Sequence, residues 1–181
     1  MKVLGISGTL VGSKTKLIVE ASLAILQGPD VEVELVDFKG LQLDFCDGRP
    51  NEAYSEDVQA LMKKVAEADA FVIGTTILHG SMPGVLKNFF ELMPMDTFAN
   101  KSVFFVANGG NHLHYLAVEN YVKPVASYLN MYAYPAYAFI LSSEFDAQNN
   151  IIEPTATELT KQVTAFGQYA KVLTQKKEEL V

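Results

Sequence analysis

Near the start of the chain the residues Gly8-Thr9-Leu10-Val11-Gly12-Ser13-Lys14-Thr15 combine two glycines, three hydroxyls and one ammonium. Phosphate binding asks for such a set: glycines let backbone N–H groups face an anion, and hydroxyls complete the cradle. The spacing decides which phosphate. A triphosphate loop reads GxxxxGK[ST], with lysine directly after the second glycine so that its ammonium meets the terminal phosphates and the next hydroxyl meets magnesium. Here Ser13 intervenes and the interval between the glycines is one residue short. Two later apolar runs end in Gly74-Thr75-Thr76 and Ala107-Asn108, without the acidic residue that would hold the metal. The dinucleotide fingerprint GxGxxG also fails, because the glycines fall at 5, 8 and 12. What remains is a neutral cradle of Thr9, Ser13 and Thr15 suited to a single terminal phosphate. The local alternative is that Ser13 or Thr15 only caps a helix. Lys14 has two readings, a charge beside the phosphate or a side chain in water.

The elements around this loop alternate. Val3 to Ser7 is a short apolar run, followed by helical spacing of Leu17, Ile18, Ala21, Ala24 and Ile25, which Gly28-Pro29 is expected to stop as a C′ glycine and proline. Val31 to Phe38 reads as a second strand, and 39–54 as a long polar connection. A helix from Ser55 carries Val58, Leu61, Met62 and Val65; Ala70 to Thr75 is a continuous apolar strand, and 76–83 a loop. Pro83 then opens a helix with Val85, Leu86, Phe89, Phe90 and Met93 on its apolar side, ending at Pro94. Ser102 to Ala107 is the fourth strand, running into Asn108-Gly109-Gly110-Asn111. A helix is predicted over 112–129 with Pro124 as a kink or break, then a fifth strand from Tyr134 to Leu141. The last helix is predicted to start with a capping box, Thr155-Ala156-Thr157-Glu158.

Strands and helices in alternation, without repeats or low-complexity linkers, predict parallel strands joined by right-handed crossovers. The expected fold is one domain over 1–181, an α/β flavodoxin-like doubly wound five-stranded parallel sheet in the order 2-1-3-4-5, with helices on both faces. Ligands in such sheets bind beyond the carboxyl ends of the strands, at the switch point between the first and third strands. Three loops meet there: 8–15, 76–83 and 108–112.

The second of these loops carries a resemblance. Thr75, Gly80, Ser81, Pro83, Gly84, Val85, Leu86, Lys87 and Asn88 match the form TPEYNGSIPGVLKN that follows the third strand in the NAD(P)H-dependent FMN reductase family. Asn108-Gly109-Gly110, Leu116-Ala117-Val118-Glu119 and Lys123-Pro124-Val125 look most like those reductases that supply reduced FMN to alkanesulfonate-type monooxygenases. The resemblance runs from the first strand through the fifth and is weakest over 39–54 and after 145. It implies that Thr9, Ser13 and Thr15, with Lys14 beside them, hold the FMN phosphate. It also implies that Thr76, Ile77, Leu78, His79, Gly80 and Ser81 lie along the isoalloxazine ring and that Asn108, Gly109 and Gly110 close its other edge. Glycines at 80, 109 and 110 would let the main chain approach a flat ring. Hydride passes from NADPH or NADH to the flavin, so no catalytic side chain is required, and none is assigned.

The resemblance further implies a homodimer or homotetramer, an activity that reduces FMN, and a flavin-dependent monooxygenase as a consumer of the product. Two rivals use the same fold: an FMN-bound quinone or azo-compound reductase, and a flavodoxin-type electron carrier. The block from Gly80 to Asn88, and the absence of aromatic residues from 75–83, speak against the carrier. Departures from the family form matter too. Thr76, Ile77, Leu78 and His79 replace proline, glutamate, tyrosine and asparagine, so tyrosine stacking gives way to aliphatic contact. Leu10 and Val11 stand where many relatives carry an arginine, which leaves NADH as admissible as NADPH.

Other features set bounds. The formal charge is −7, and Arg49 is the sole arginine; no basic stripe exists for nucleic acid. No apolar stretch approaches the roughly 18 to 20 residues of a membrane span, and with one cysteine the expectation is a soluble, cytoplasmic protein. Cys46 lies beside Asp44 and Asp47, which oppose a thiolate. His79 reads either as a ring touching the flavin or nicotinamide, or as an exposed loop histidine. His112 and His114 are spaced i, i+2, on different helix faces, so no metal pair is assigned. Tyr115, Tyr121, Tyr128, Tyr132, Tyr134 and Tyr137 are the enrichment a subunit interface would use.

Overall fold

The computed structural model describes residues 1–179, with side chains through residue 175. In chain order the elements are β1 (Lys2–Ser7), α1 (Lys14–Leu26), β2 (Glu32–Asp37), α2 (Glu56–Glu67), β3 (Ala70–Thr76), α3 (Gly84–Leu92), β4 (Ser102–Gly109), α4 (Lys123–Tyr128), β5 (Tyr132–Ala133), β6 (Ala138–Leu141) and α5 (Thr155–Glu179). The strands pair in parallel in the order β2-β1-β3-β4-β5, and β6 pairs with β4 as well. This is the expected flavodoxin-like doubly wound sheet. Among the described residues no helix is long and apolar enough to cross a membrane.

Alternation along the strands divides the core in two. Val3, Ala70, Val72, Phe104 and Val106 pack under α1 and α5 with Ile18, Val19, Leu23, Leu159, Val163 and Phe166. Leu4, Ile6, Phe71, Ile73, Val103 and Phe105 face α2, α3 and α4, where Val58, Leu61, Leu86, Phe89 and Ala126 meet them. Every residue of β4 is buried, as a central parallel strand covered on both faces requires.

Four sequence expectations change in detail. The fifth strand is interrupted: β5 pairs with Ser102–Val103, β6 with Val106–Gly109, and Pro135, which has no N–H to donate, lies in the gap. The helix expected over 112–129 is three pieces, a 3₁₀ turn at His112–His114, a π-helical turn at Val118–Val122, and α4. Pro124 sits in the first turn of α4, where a missing N–H costs nothing, and so starts a helix rather than kinking one. Gly28 is not a left-handed cap; α1 ends at Leu26, and Gly28 forms a bridge with Val31. The capping box of α5 does not form: Thr155 Oγ1 donates to Glu144 Oε1 at 2.5 Å, and the Glu153 carboxylate accepts the Thr157 N–H at 3.2 Å.

Two glycines let α1 lie close to the sheet. A Cβ on Gly5 would stand 2.5 Å from Leu23 Cδ1, and one on Gly74 would stand 2.5 Å from Val19 Cγ2 and 2.9 Å from Thr15 Cγ2. We expect Gly74→Ala to destabilise the protein by about 1–3 kcal/mol through this overpacking, with Val19→Ala restoring part of the loss; thermal melting of the two single variants and the double variant measures it.

Candidate functional site

Parallel pairing brings the carboxyl ends of β1, β3, β4 and β6 to one edge, and the loops that leave them border the crevice above it. The first loop crosses the edge under tight steric control. Gly8 donates its N–H to the Gly74 carbonyl at 2.8 Å, and a Cβ on Gly8 would lie 2.8 Å from that oxygen and 2.8 Å from Leu86 Cδ1. Thr9 is 1% exposed, and its hydroxyl accepts the Val11 N–H at 3.1 Å, so this side chain shapes the loop. Gly12 turns the chain with φ +70°. The Lys39 ammonium, reaching in from the connection after β2, bonds the Gly12 carbonyl.

Ser13 is the N-cap of α1, exposed, and its side chain makes no cap hydrogen bond. The N–H groups of the first helical turn have no partner within the helix. Hydroxyl and helix start together form a donor set open to an anion, and the donor chemistry fits the terminal phosphate of FMN. Thr15 is buried, with its methyl group over Gly74. Lys14 does not simply point into water: its ammonium donates to the Ser142 carbonyl at 2.5 Å and stands 5.0 Å from the centre of the Phe145 ring.

The second loop is narrower than expected from sequence. Thr76 belongs to β3, opposite Asn108, and Ile77 N–H and Thr76 Oγ1 donate to the Asn108 carbonyl at 3.1 and 3.3 Å. Ile77 is 5% exposed and sits in the core, so its side chain supplies no aliphatic contact to a ring in the cleft. Leu78 and Ser81 exchange backbone hydrogen bonds of 3.0 and 3.1 Å around His79 and Gly80, whose φ angles are 50° and 80°. This is a two-residue turn with both central residues left-handed. His79 is an exposed residue at its tip. The backbone geometry explains Gly80, and Leu78, exposed, is the aliphatic side chain the hairpin presents.

Asn108 and Gly109 are strand residues as well, not loop residues, because β6 extends the ladder to Leu141. Asn108 is buried; its amide Nδ2 donates to the Ile140 carbonyl at 2.9 Å, and its Oδ1 accepts from Ser142 Oγ at 3.3 Å. Gly109 has a packing reason of its own: a Cβ there would lie 2.6 Å from Cζ of Phe139. Gly110 is exposed, and a Cβ there would meet nothing within 4 Å, so the main chain is open to a flat ligand at this residue.

Farther from the edge, the polar connection 39–54 is fastened by Asn88, which is buried in α3. Its Nδ2 donates to the Asp44 carbonyl at 2.8 Å, and its Oδ1 accepts the Cys46 N–H at 2.9 Å. Hydrogen bonding from the Arg49 side chain and then its backbone N–H holds the Asp47 carboxyl down at about 2. Sequence reasoning missed Asn88 as an anchor, and Ser142 and Phe145 as neighbours of the first loop. The fold alone places the loop after the fifth strand at the same edge, but no local motif marks it.

His112 is exposed, His114 is half-buried with an unpartnered Nδ1, and among the described residues no group of three or more His, Cys, Asp or Glu could hold a metal. The tyrosines divide. Tyr115, Tyr121, Tyr128 and Tyr132 are exposed; Tyr134 packs on Phe104 and Phe166, and Tyr137 donates its hydroxyl to the Tyr115 carbonyl at 2.8 Å.

Residues 1–146 match the sequence profile described as NADPH-dependent FMN reductase. A relative from Geobacillus thermodenitrificans named NAD(P)H-dependent FAD/FMN reductase is 42% identical over 165 residues, covering 90% of this chain and 89% of its own. An FMN-dependent NADPH-azoreductase of Staphylococcus saprophyticus is 36% identical over 104 residues, 55% of either chain. Among solved structures, the apo form of an NADH:FMN oxidoreductase, EMOB, superposes with a TM-score of 0.80 at 22% identity, covering 93% of this chain and 89% of that one.

His79→Asn is expected to leave stability and flavin affinity unchanged within about twofold, since asparagine tolerates a left-handed backbone. His79→Val is expected to cost about 1–2 kcal/mol in thermal or denaturant unfolding, because a β-branched side chain is strained there.

Proposed function

The chain belongs to the NADPH-dependent FMN reductase family, and we propose that the cleft over the carboxyl ends of β1, β3 and β4 is where it holds FMN for reduction by NADPH or NADH. It is an NAD(P)H-dependent flavin oxidoreductase. FMN, when bound, supplies the ring that accepts hydride. The chain's own residues bind and orient. In this reading the Ser13 hydroxyl and the backbone N–H groups of the first turn of α1 hold the phosphate, with Thr9 and Thr15 shaping the cradle from beneath. The 76–81 hairpin borders the ring on one side, with Leu78 as its aliphatic contact. The open main chain at Gly110 borders the ring on the other, and Asn108 and Gly109 set the position of that edge. No side chain is given an acid or base role, since hydride transfer needs none. The observation that carries the reading is the exposed N-cap serine with an unused hydroxyl, at the start of a helix aimed at the switch point.

We read residues 1–181 as one domain, in support of which both cores share a single sheet, and the site of action as the cytoplasm, whose reducing conditions suit a chain with a single cysteine. Self-association is part of the proposal: Leu113, Tyr115, Leu116 and Tyr121 are all more than half exposed beside the cleft, which favours a homodimer or homotetramer. A flavin-dependent monooxygenase is the proposed consumer of reduced FMN, on the likeness of 108–125 to reductases of that kind. The match to the azoreductase favours one second reading, in which FMN stays bound and an azo compound or quinone enters as acceptor.

Mixing the purified protein with NADH or NADPH and free FMN tests these readings. Oxidation of both nucleotides that depends on added FMN is expected; oxidation that instead requires a quinone or azo dye supports the second reading, and none with either nucleotide points to a carrier. Ser13→Ala is expected to weaken FMN about tenfold, near 1.4 kcal/mol for a hydrogen bond to a charged group, while leaving riboflavin affinity unchanged. Equal FMN affinity in the variant sinks the phosphate assignment. Gel filtration should give a mass well above the 19.9 kDa of one chain.

A further inference from the structure

Lys14 stands in the first turn of α1, where the helix dipole works against an ammonium. Its placement answers that penalty. The ammonium reaches across to the turn that follows β6, donating to the Ser142 carbonyl at 2.5 Å and lying 5.0 Å from the centre of the Phe145 ring; a carbonyl partner and an aromatic face both favour a cation. From there the bonds continue. Ser142 Oγ donates to Asn108 Oδ1 at 3.3 Å, and the Asn108 carbonyl accepts the Ile77 N–H at 3.1 Å and the Thr76 hydroxyl at 3.3 Å. Asn108 is 8% exposed, so little water competes for these groups.

We propose that Lys14 is a positioning residue that ties the phosphate end of the cleft to its ring end, through Ser142 and Asn108. The proposal rests on the flavin reading of the cleft. It differs from the simpler idea that a lysine in a phosphate loop acts by its charge. The ammonium is committed to the turn after β6, and what it transmits is geometry: where α1 begins relative to where the β3 hairpin and the end of β4 sit. Removing it loosens a ring-side contact that Lys14 does not touch.

The test uses full-length protein and two ligands that differ only by the phosphate. Lys14→Met keeps the aliphatic stem and removes the ammonium; Lys14→Arg keeps a donor. In ligand-free, ¹⁵N-labelled protein, Lys14→Met is expected to speed amide exchange at Ile77, whose N–H bonds Asn108, by about fivefold, a typical scale for coupling between sites. By fluorescence quenching it is expected to weaken FMN and riboflavin by the same factor, about fivefold, and Lys14→Arg to recover most of both. Ser142→Ala, which removes the middle bond, is expected to act in the same direction, and the double variant to lose less than the two single losses combined. Unchanged exchange at Ile77 overturns the proposal. So does a loss confined to FMN, which would mark Lys14 as a charge on the phosphate. Wild-type protein that binds neither flavin would overturn the flavin reading beneath the proposal, whatever the exchange shows.

Discussion

Everything at the functional edge depends on how closely α1 approaches the sheet. Gly5 in β1 and Gly74 in β3 stand directly beneath Val19, Leu23 and Thr15, with no room for a methyl group between them. That contact sets the height of the helix, and with it the place where the first turn opens. Gly8 repeats the constraint one step further along, squeezed between the Gly74 carbonyl and Leu86. The helix start therefore faces the crevice beside β3, because two strand positions and the first residue of the loop between β1 and α1 carry no side chain. Anion affinity at a helix terminus falls off within a turn, so a displaced helix would aim its donors at solvent or at β2.

The polar groups around the cleft separate into those consumed by the fold and those left available. Thr9, Thr76 and Asn108 are committed to loop and strand geometry through hydrogen bonds of 3.1, 3.3 and 2.9 Å. Ser13 and the main chain at Gly110 are not so committed. The family pattern treats all of these as site residues. In the proposed site the labour is divided: the committed residues fix the frame, and the uncommitted ones are left to meet the ligand.

Much of this was legible in the sequence. The parallel sheet and its order follow from apolar runs alternating with helical patterns, and the spacing within Gly8–Thr15 sets aside a triphosphate loop while leaving a helix cap as the alternative to a monophosphate cradle. The missed features all come from partners distant in sequence. Gly109 reads as ligand-facing and nothing local marks Gly5 or Gly74 as packing positions, while at each of the three a Cβ would collide with a bulky side chain from another element. Lys14 is separated from Ser142 by 128 positions and Asn88 from Asp44 by 44, and no periodicity reports on such pairs. Thr155-Ala156-Thr157-Glu158 had the right local form for a cap, yet Glu144 and Glu153 took over the bonds.

The broken fifth strand has a consequence outside the cleft. An edge strand with a long row of unpaired backbone groups is a template on which another chain can add. Here the edge beside β4 consists of a stretch of two residues and one of four, with Pro135 in the gap. Neither stretch is long enough to hold an incoming strand in register. The same interruption that lets Leu141 deliver the chain to Ser142 thus denies an incoming strand a continuous template at this edge of the sheet, whereas β2, six residues long, forms the opposite edge.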